Sequence, residues 1–136
     1  MHTSPFAPDP AARGARAYLT VDAQSRSPLE LVVMLYDGAI RFLGQARDAQ
    51  ARGDRRGRAQ GISRALAIVS ELQNTLDVER GRDIAGELDR LYHYVMRRLL
   101  DVTTRGDAAA LDEILRLLGT LREGWAQASQ SATTNA

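Results

Sequence analysis

A chain of 136 residues and 14.9 kDa has room for one hydrophobic core and not for two. Eighteen basic residues, all of them Arg, face seventeen acidic ones; a net charge of +1 gives no bulk electrostatic case for binding nucleic acid or an anionic membrane. Because the sequence lacks Cys, disulfides, thiolate metal sites and thiol nucleophiles are excluded.

Aromatic residues make up only 5% of a chain that is 44% hydrophobic, so Leu, Ala, Ile and Val must build the core. No apolar run is long enough to span a bilayer, and the start lacks the apolar centre of a signal peptide. The expectation is a soluble, cytoplasmic protein without membrane insertion. Residues 1–16 hold three of the four prolines and few large apolar groups, which predicts a disordered Pro/Ala-rich extension. Ala17-Tyr18-Leu19-Thr20-Val21 is a short apolar cluster ahead of polar residues 22–26. It reads either as a frayed lead-in or as a detachable arm lying on the body of the protein.

The first helix is announced by Ser27-Pro28-Leu29-Glu30. Ser27 is a cap, Pro28 fits the first helical position, and Glu30 stands where a capping box needs it. Val32, Leu35, Tyr36, Ala39, Leu43 and Ala46 recur at three- and four-residue steps and predict the core stripe, with Leu31, Met34, Gly38 and Phe42 beside it. Gly53 ends the helix. Residues 55–61 are basic and glycine-containing, either loop or a frayed helix start. The second helix carries Ile62, Ala65, Leu66, Val69, Gln73 and Leu76 on its core face, with Ile68, Leu72 and Thr75 as a shoulder. Residues 77–82 read as a turn. Asp83 is the expected cap of a third helix with Ile84, Leu88, Leu91, Tyr92, Val95, Leu99 and Val102 inward. Gly106 stops it, and Asp107 caps a fourth, with Leu111, Ile114, Leu115, Leu118 and Trp125 inward and Leu117 and Leu121 to one side. Residues 129–136 read as a disordered polar tail. The fold class is therefore all-α, an antiparallel up-down-up-down four-helix bundle over residues 17–128, with residues 17–26 as its N-terminal arm.

Catalytic readings find little to stand on. A di-iron centre needs a Glu-x-x-His motif on each of two helices, and the residue three before His93 is Arg90. His93 faces away from the core, as in histidine phosphotransfer bundles, but Tyr94, Val95 and Met96 follow it where such modules carry basic and small residues. An ordinary surface histidine is the simpler account, and phosphotransfer through His93 is the enzyme-like alternative. What remains is apolar surface in excess of what closes a small bundle: Leu31, Met34, Gly38, Phe42, Ile68, Leu72, Leu117 and Leu121. Grooves banked by such residues suit an amphipathic or extended peptide. A structural domain that forms a homodimer through the same surface is a third reading.

Tyr18, the Ser27-Pro28-Leu29-Glu30-Leu31 start, Met34-Leu35-Tyr36-Asp37-Gly38-Ala39-Ile40, the later Ile84-Ala85-Gly86-Glu87-Leu88 and the closing Leu121-Arg122-Glu123-Gly124-Trp125 together resemble the flagellar secretion chaperone family, FliS. The resemblance runs in order from Ala17 to Trp125. It implies a helical bundle, without catalysis or cofactor, that binds the disordered C-terminal region of newly made flagellin, masks it from premature polymerisation and keeps it ready for the flagellar type III export gate. It further implies an N-terminal segment, with Tyr18 and Val21 as its plug, that covers part of the client site and gives way on binding. Two departures stand out: the long 1–16 extension, and Asp101-Val102-Thr103-Thr104 where the family often has an Ala-Asn pair.

Overall fold

The computed structural model describes residues 27–76 and 78–134. Within them the chain forms four helices and no strand: α1 (Pro28–Ala51), α2 (Arg55–Asn74), α3 (Val78–Arg105) and α4 (Ala108–Thr134). The starts and stops follow local chemistry. The Ser27 hydroxyl accepts a hydrogen bond from the Glu30 backbone N–H at 3.2 Å, with Pro28 first in the helix. Gly53 and Gly106 end α1 and α3 at φ +72° and +67°, the left-handed region that a side chain resists. Asp107 caps α4 by accepting from the Ala110 N–H at 3.1 Å.

One boundary left open is settled, and two differ from expectation. Asp54 accepts from the Gly57 N–H at 2.9 Å, and with that cap in place α2 begins at Arg55, so the basic 55–61 stretch is helix and not loop. The third helix begins at Val78, not after Asp83, and includes the segment read as a turn; the glycine at position 81 costs about 1 kcal/mol in a helix, which a helix this long absorbs. The tail expected from residue 129 is also corrected: α4 continues to Thr134, because no Gly or Pro follows Gly124 and Ala126, Ala128 and Ala132 favour the helix. Ser129 is buried there. The 1–16 extension, the 17–26 arm and residues 135–136 lie outside the described residues.

Neighbours in sequence are neighbours in space, and α4 closes the ring against α1. The backbones of the diagonal pairs stay apart; their side chains meet in the centre, where Leu35, Leu43, Ile62, Leu99, Leu111, Ile114 and Leu118 surround Tyr36 and Tyr92. The seam between α1 and α2 is the tightest. A Cβ added at Gly61 would stand 2.7 Å from the Phe42 carbonyl oxygen and 2.9 Å from the Ala46 Cβ, so these backbones meet at a distance only glycine permits. Ala39, Ala46 and Ala65 continue that small-residue contact and are fully buried. The close approach turns α2 relative to its predicted stripe. Ile68 and Leu72 enter the core, while Leu66 and Gln73 stay half-buried at its edge. On α3, Ile84 was expected inside but is 67% exposed, and its neighbour Ala85 is buried instead.

Candidate partner-binding surface

The residues singled out for partner binding divide between two opposite seams. Leu31, Gly38 and Phe42 are half-buried on α1. A Cβ at Gly38 would meet the Ile68 Cδ1 at 3.1 Å, and Gly61 abuts Phe42, which places this group along the α1–α2 seam. Leu117 and Leu121 follow Glu113 at one-turn intervals on α4. Glu113 bonds Tyr94 and Arg98 of α3, so these two leucines lie along the α3–α4 seam, half-buried against the core. Tyr18 and Val21 lie outside the described residues. Three of the set are not the free flank that the periodicity predicts. Met34 is 7% exposed, though apart from the central cluster; Ile68 is 5% and Leu72 1% exposed, and both are core. The tight α1–α2 packing consumes the last two. Asp in place of Met34 would therefore bury a carboxylate, and that position is no surface probe.

A trough does exist, on a third seam. Between α2 and α3 lies an open groove of about 440 Å³, floored by Ile62, Leu66 and Ala67, with Leu100 on its α3 bank and Ser70 and Asn74 on its rim. Leu100 is 53% exposed. None of the ten residues singled out from the sequence lines it. The signal that could have found it is the Leu99-Leu100 pair: two leucines 100° apart on one helix cannot both face a narrow core. The seam stays wide because long polar side chains bridge it. Gln73 donates from Nε2 to Asp89 Oδ1 at 2.8 Å and reaches the His93 ring at 3.2 Å. Further along, Arg58 donates to the Thr103 carbonyl at 3.5 Å.

Polar contacts hold the frame around this surface. The Tyr36 and Tyr92 hydroxyls share a buried hydrogen bond of 2.6 Å across the α1–α3 diagonal, and Trp125 packs half-buried against the core they belong to. Burial pushes both phenols above their ordinary ionisation range. Arg98 ties α3 to α4: its Nε donates to Glu113 at 3.0 Å, and its Nη1 reaches Asp101 at 3.1 Å and Asp107 at 3.5 Å. The Tyr94 hydroxyl donates to the same Glu113 oxygen at 2.8 Å; that bond and then Arg98 hold the Glu113 carboxyl below its usual range. Arg122 closes α4 onto Asp37 of α1 at 2.8 Å. His93 is an exposed ring whose Nδ1 lies 2.8 Å from the Asp89 carbonyl oxygen, one turn back. Among the described residues no cluster of three His, Asp or Glu side chains is arranged to hold a metal ion.

The match between this frame and known proteins is extensive. The family model described as "Flagellar protein FliS" covers residues 11–132. The chain belongs to the FliS family. Similar FliS-family proteins include the flagellar secretion chaperone FliS of Salmonella typhimurium, 39% identical over 90% of this chain and 94% of the relative. The flagellar secretion chaperone FliSB of Pseudomonas aeruginosa is 37% identical over 79% of this chain and 86% of its own length. At greater distance, FliS of Bacillus subtilis is 30% identical over 85% of both chains. FliS membership thus spans all four helices, and among the described residues no helix is long and apolar enough to cross a membrane.

Proposed function

We propose that this protein is a cytoplasmic export chaperone that binds the disordered C-terminal region of flagellin, prevents its premature polymerisation and keeps it competent for flagellar type III secretion. The observation that carries the reading is family membership across the whole bundle in a molecule that keeps an unfilled apolar groove between α2 and α3. Masking works by competition: a client segment ordered on the chaperone is unavailable to neighbouring subunits. Ordering a disordered client consumes about 2–5 kcal/mol of the gross contact energy, which favours a long wrap over a single pocket. Apolar side chains on three separate seams, with Leu31 and Phe42 on one, Leu66 and Leu100 on another, and Leu117 and Leu121 on the third, suit such a path. Tyr18 and Val21 act as the plug displaced on binding. The flagellar export gate receives the complex, and no catalysis is required.

Titration calorimetry with the isolated C-terminal region of flagellin tests the reading. The expected result is binding with a strongly negative heat-capacity change, the mark of buried apolar area. No binding at tens of micromolar overturns it.

A further inference from the structure

On the outer face of the α1–α2 seam, the Phe42 ring carries two guanidinium groups: Arg41 from its own helix at 5.1 Å from the ring centroid, and Arg64 from α2 at 5.5 Å. Both arginines are exposed, and among the described residues no carboxylate pairs with either. Arg98, Arg122, Arg47 and Arg52 reach carboxylates; what sets Arg41 and Arg64 apart from the other unpaired arginines among the described residues is that they share one aromatic ring. Two like charges gathered over one ring repel each other, and the negative face of the ring offsets only part of that repulsion. An arriving anion would remove the remainder. Exposed Gln45, one turn beyond Arg41, and exposed Gln60, one turn before Arg64, add amide donors beside the pair.

The local field is small in extent. Asp48 follows Arg41 by seven residues and Glu71 follows Arg64 by seven, so each helix places an acid two turns away on the same face. Two arginines flanked by acids at both ends fit one carboxylate; a phosphate backbone running along the seam would meet those acids. Phe42, half-buried against the core, offers an apolar seat beside the charge.

We propose that Arg41 and Arg64, held over the Phe42 ring, form a carboxylate clamp that captures an acidic residue of the incoming protein chain, with an adjacent apolar side chain of that segment resting on Phe42. The clamp deepens the chaperone reading and rests on it: it names the chemistry of one client segment and its register on the α1–α2 seam. It also explains why the seam carries charge where apolar burial alone would have no use for it. Electrostatic capture of this kind speeds encounter and fixes register, while the apolar grooves supply lasting affinity.

Two measurements on the full chain test it. In the first, the arginine Nε–Hε NMR signals are followed during titration with a short peptide alternating Asp or Glu with Leu, with its Asn/Gln counterpart, and with inorganic phosphate. The Arg41 and Arg64 signals are expected to shift with the acidic peptide and not with the amide peptide; no shift, or equal shifts with the amide peptide or with phosphate, overturns the clamp. In the second, affinity for the flagellin C-terminal region is measured against salt for the wild type, an Arg41→Gln/Arg64→Gln double variant and Phe42→Leu. The double variant is expected to bind about fivefold more weakly at low salt and to lose most of its salt dependence, whereas Phe42→Leu weakens binding and keeps the salt slope. Unchanged affinity and slope in the double variant overturn the clamp while leaving the chaperone reading in place. Failure of the wild type to bind flagellin sinks the chaperone reading, and the peptide titration then decides the clamp alone.

Discussion

At the scale of single residues, the Tyr36–Tyr92 hydrogen bond is the most consequential polar contact in the core. A buried hydroxyl is tolerated only while it has a partner, and removing one partner strands the other. Tyr92→Phe is expected to cost about 1–2 kcal/mol in urea unfolding. Tyr36→Phe is expected to cost a similar amount, because it strands the Tyr92 hydroxyl in turn. The double Phe variant should lose less than the sum, since two apolar rings no longer need each other. Leu100 poses the opposite case. Its side chain is already half in water, so Leu100→Asp is expected to move stability by less than about 0.5 kcal/mol. In the chaperone reading the same change places a charge on the bank of the α2–α3 groove and should weaken flagellin binding severalfold by calorimetry, with the unfolding midpoint nearly unchanged.

At the scale of elements, glycines of the same type have opposite meanings according to what lies opposite them. Gly61→Ala would drive a methyl group against the Phe42 carbonyl and force α1 and α2 apart, an overpacking cost of about 1–3 kcal/mol. At Gly119, an added methyl meets nothing within 4 Å, and Gly119→Ala is expected to stabilise by about 0.5–1 kcal/mol through helix propensity. Thermal unfolding of the two variants side by side checks the contrast. The same distinction marks what was legible in the sequence. Caps and stops are local chemistry, so Ser27, Gly53, Gly106 and Asp107 could be read one residue at a time. The turn of α2 could not. It depends on how closely another helix approaches, and Gly57 and Gly61 disclose that only once Ala46, Ala49 and Phe42 are known to lie opposite. Ile68 and Leu72 were misplaced for that reason, and Ile84 because periodicity alone does not tell which turns of a long helix have neighbours.

At the scale of the whole molecule, the site was less legible than the fold. Leu31, Phe42, Leu117 and Leu121 do lie at half-buried seams, but the open groove formed where Gln73 and Arg58 bridge α2 to α3, and no single stripe announces a gap between two helices. The ionisable groups that hold the seams also set the pH range over which the bundle stays closed. Glu113 ionises more readily in the folded state, because Tyr94 and Arg98 bond its charged form. Its contribution is therefore fully present above the ordinary glutamate range, roughly pH 4–5, and is lost as pH falls through its depressed value. Tyr36 and Tyr92 act at the other limit. Burial raises both, so their contribution is complete below the ordinary phenol value of roughly 10 and disappears as pH rises beyond it. Stability is thus expected to form a plateau between about pH 5 and about pH 9, with separate acid and alkaline limbs. Urea midpoints measured across that range should show Glu113→Gln flattening the acid limb alone and Tyr92→Phe blunting the alkaline limb alone. An acid limb that Glu113→Gln leaves unchanged would mean that the Arg98 cluster is solvated charge and that apolar contacts alone close α3 onto α4.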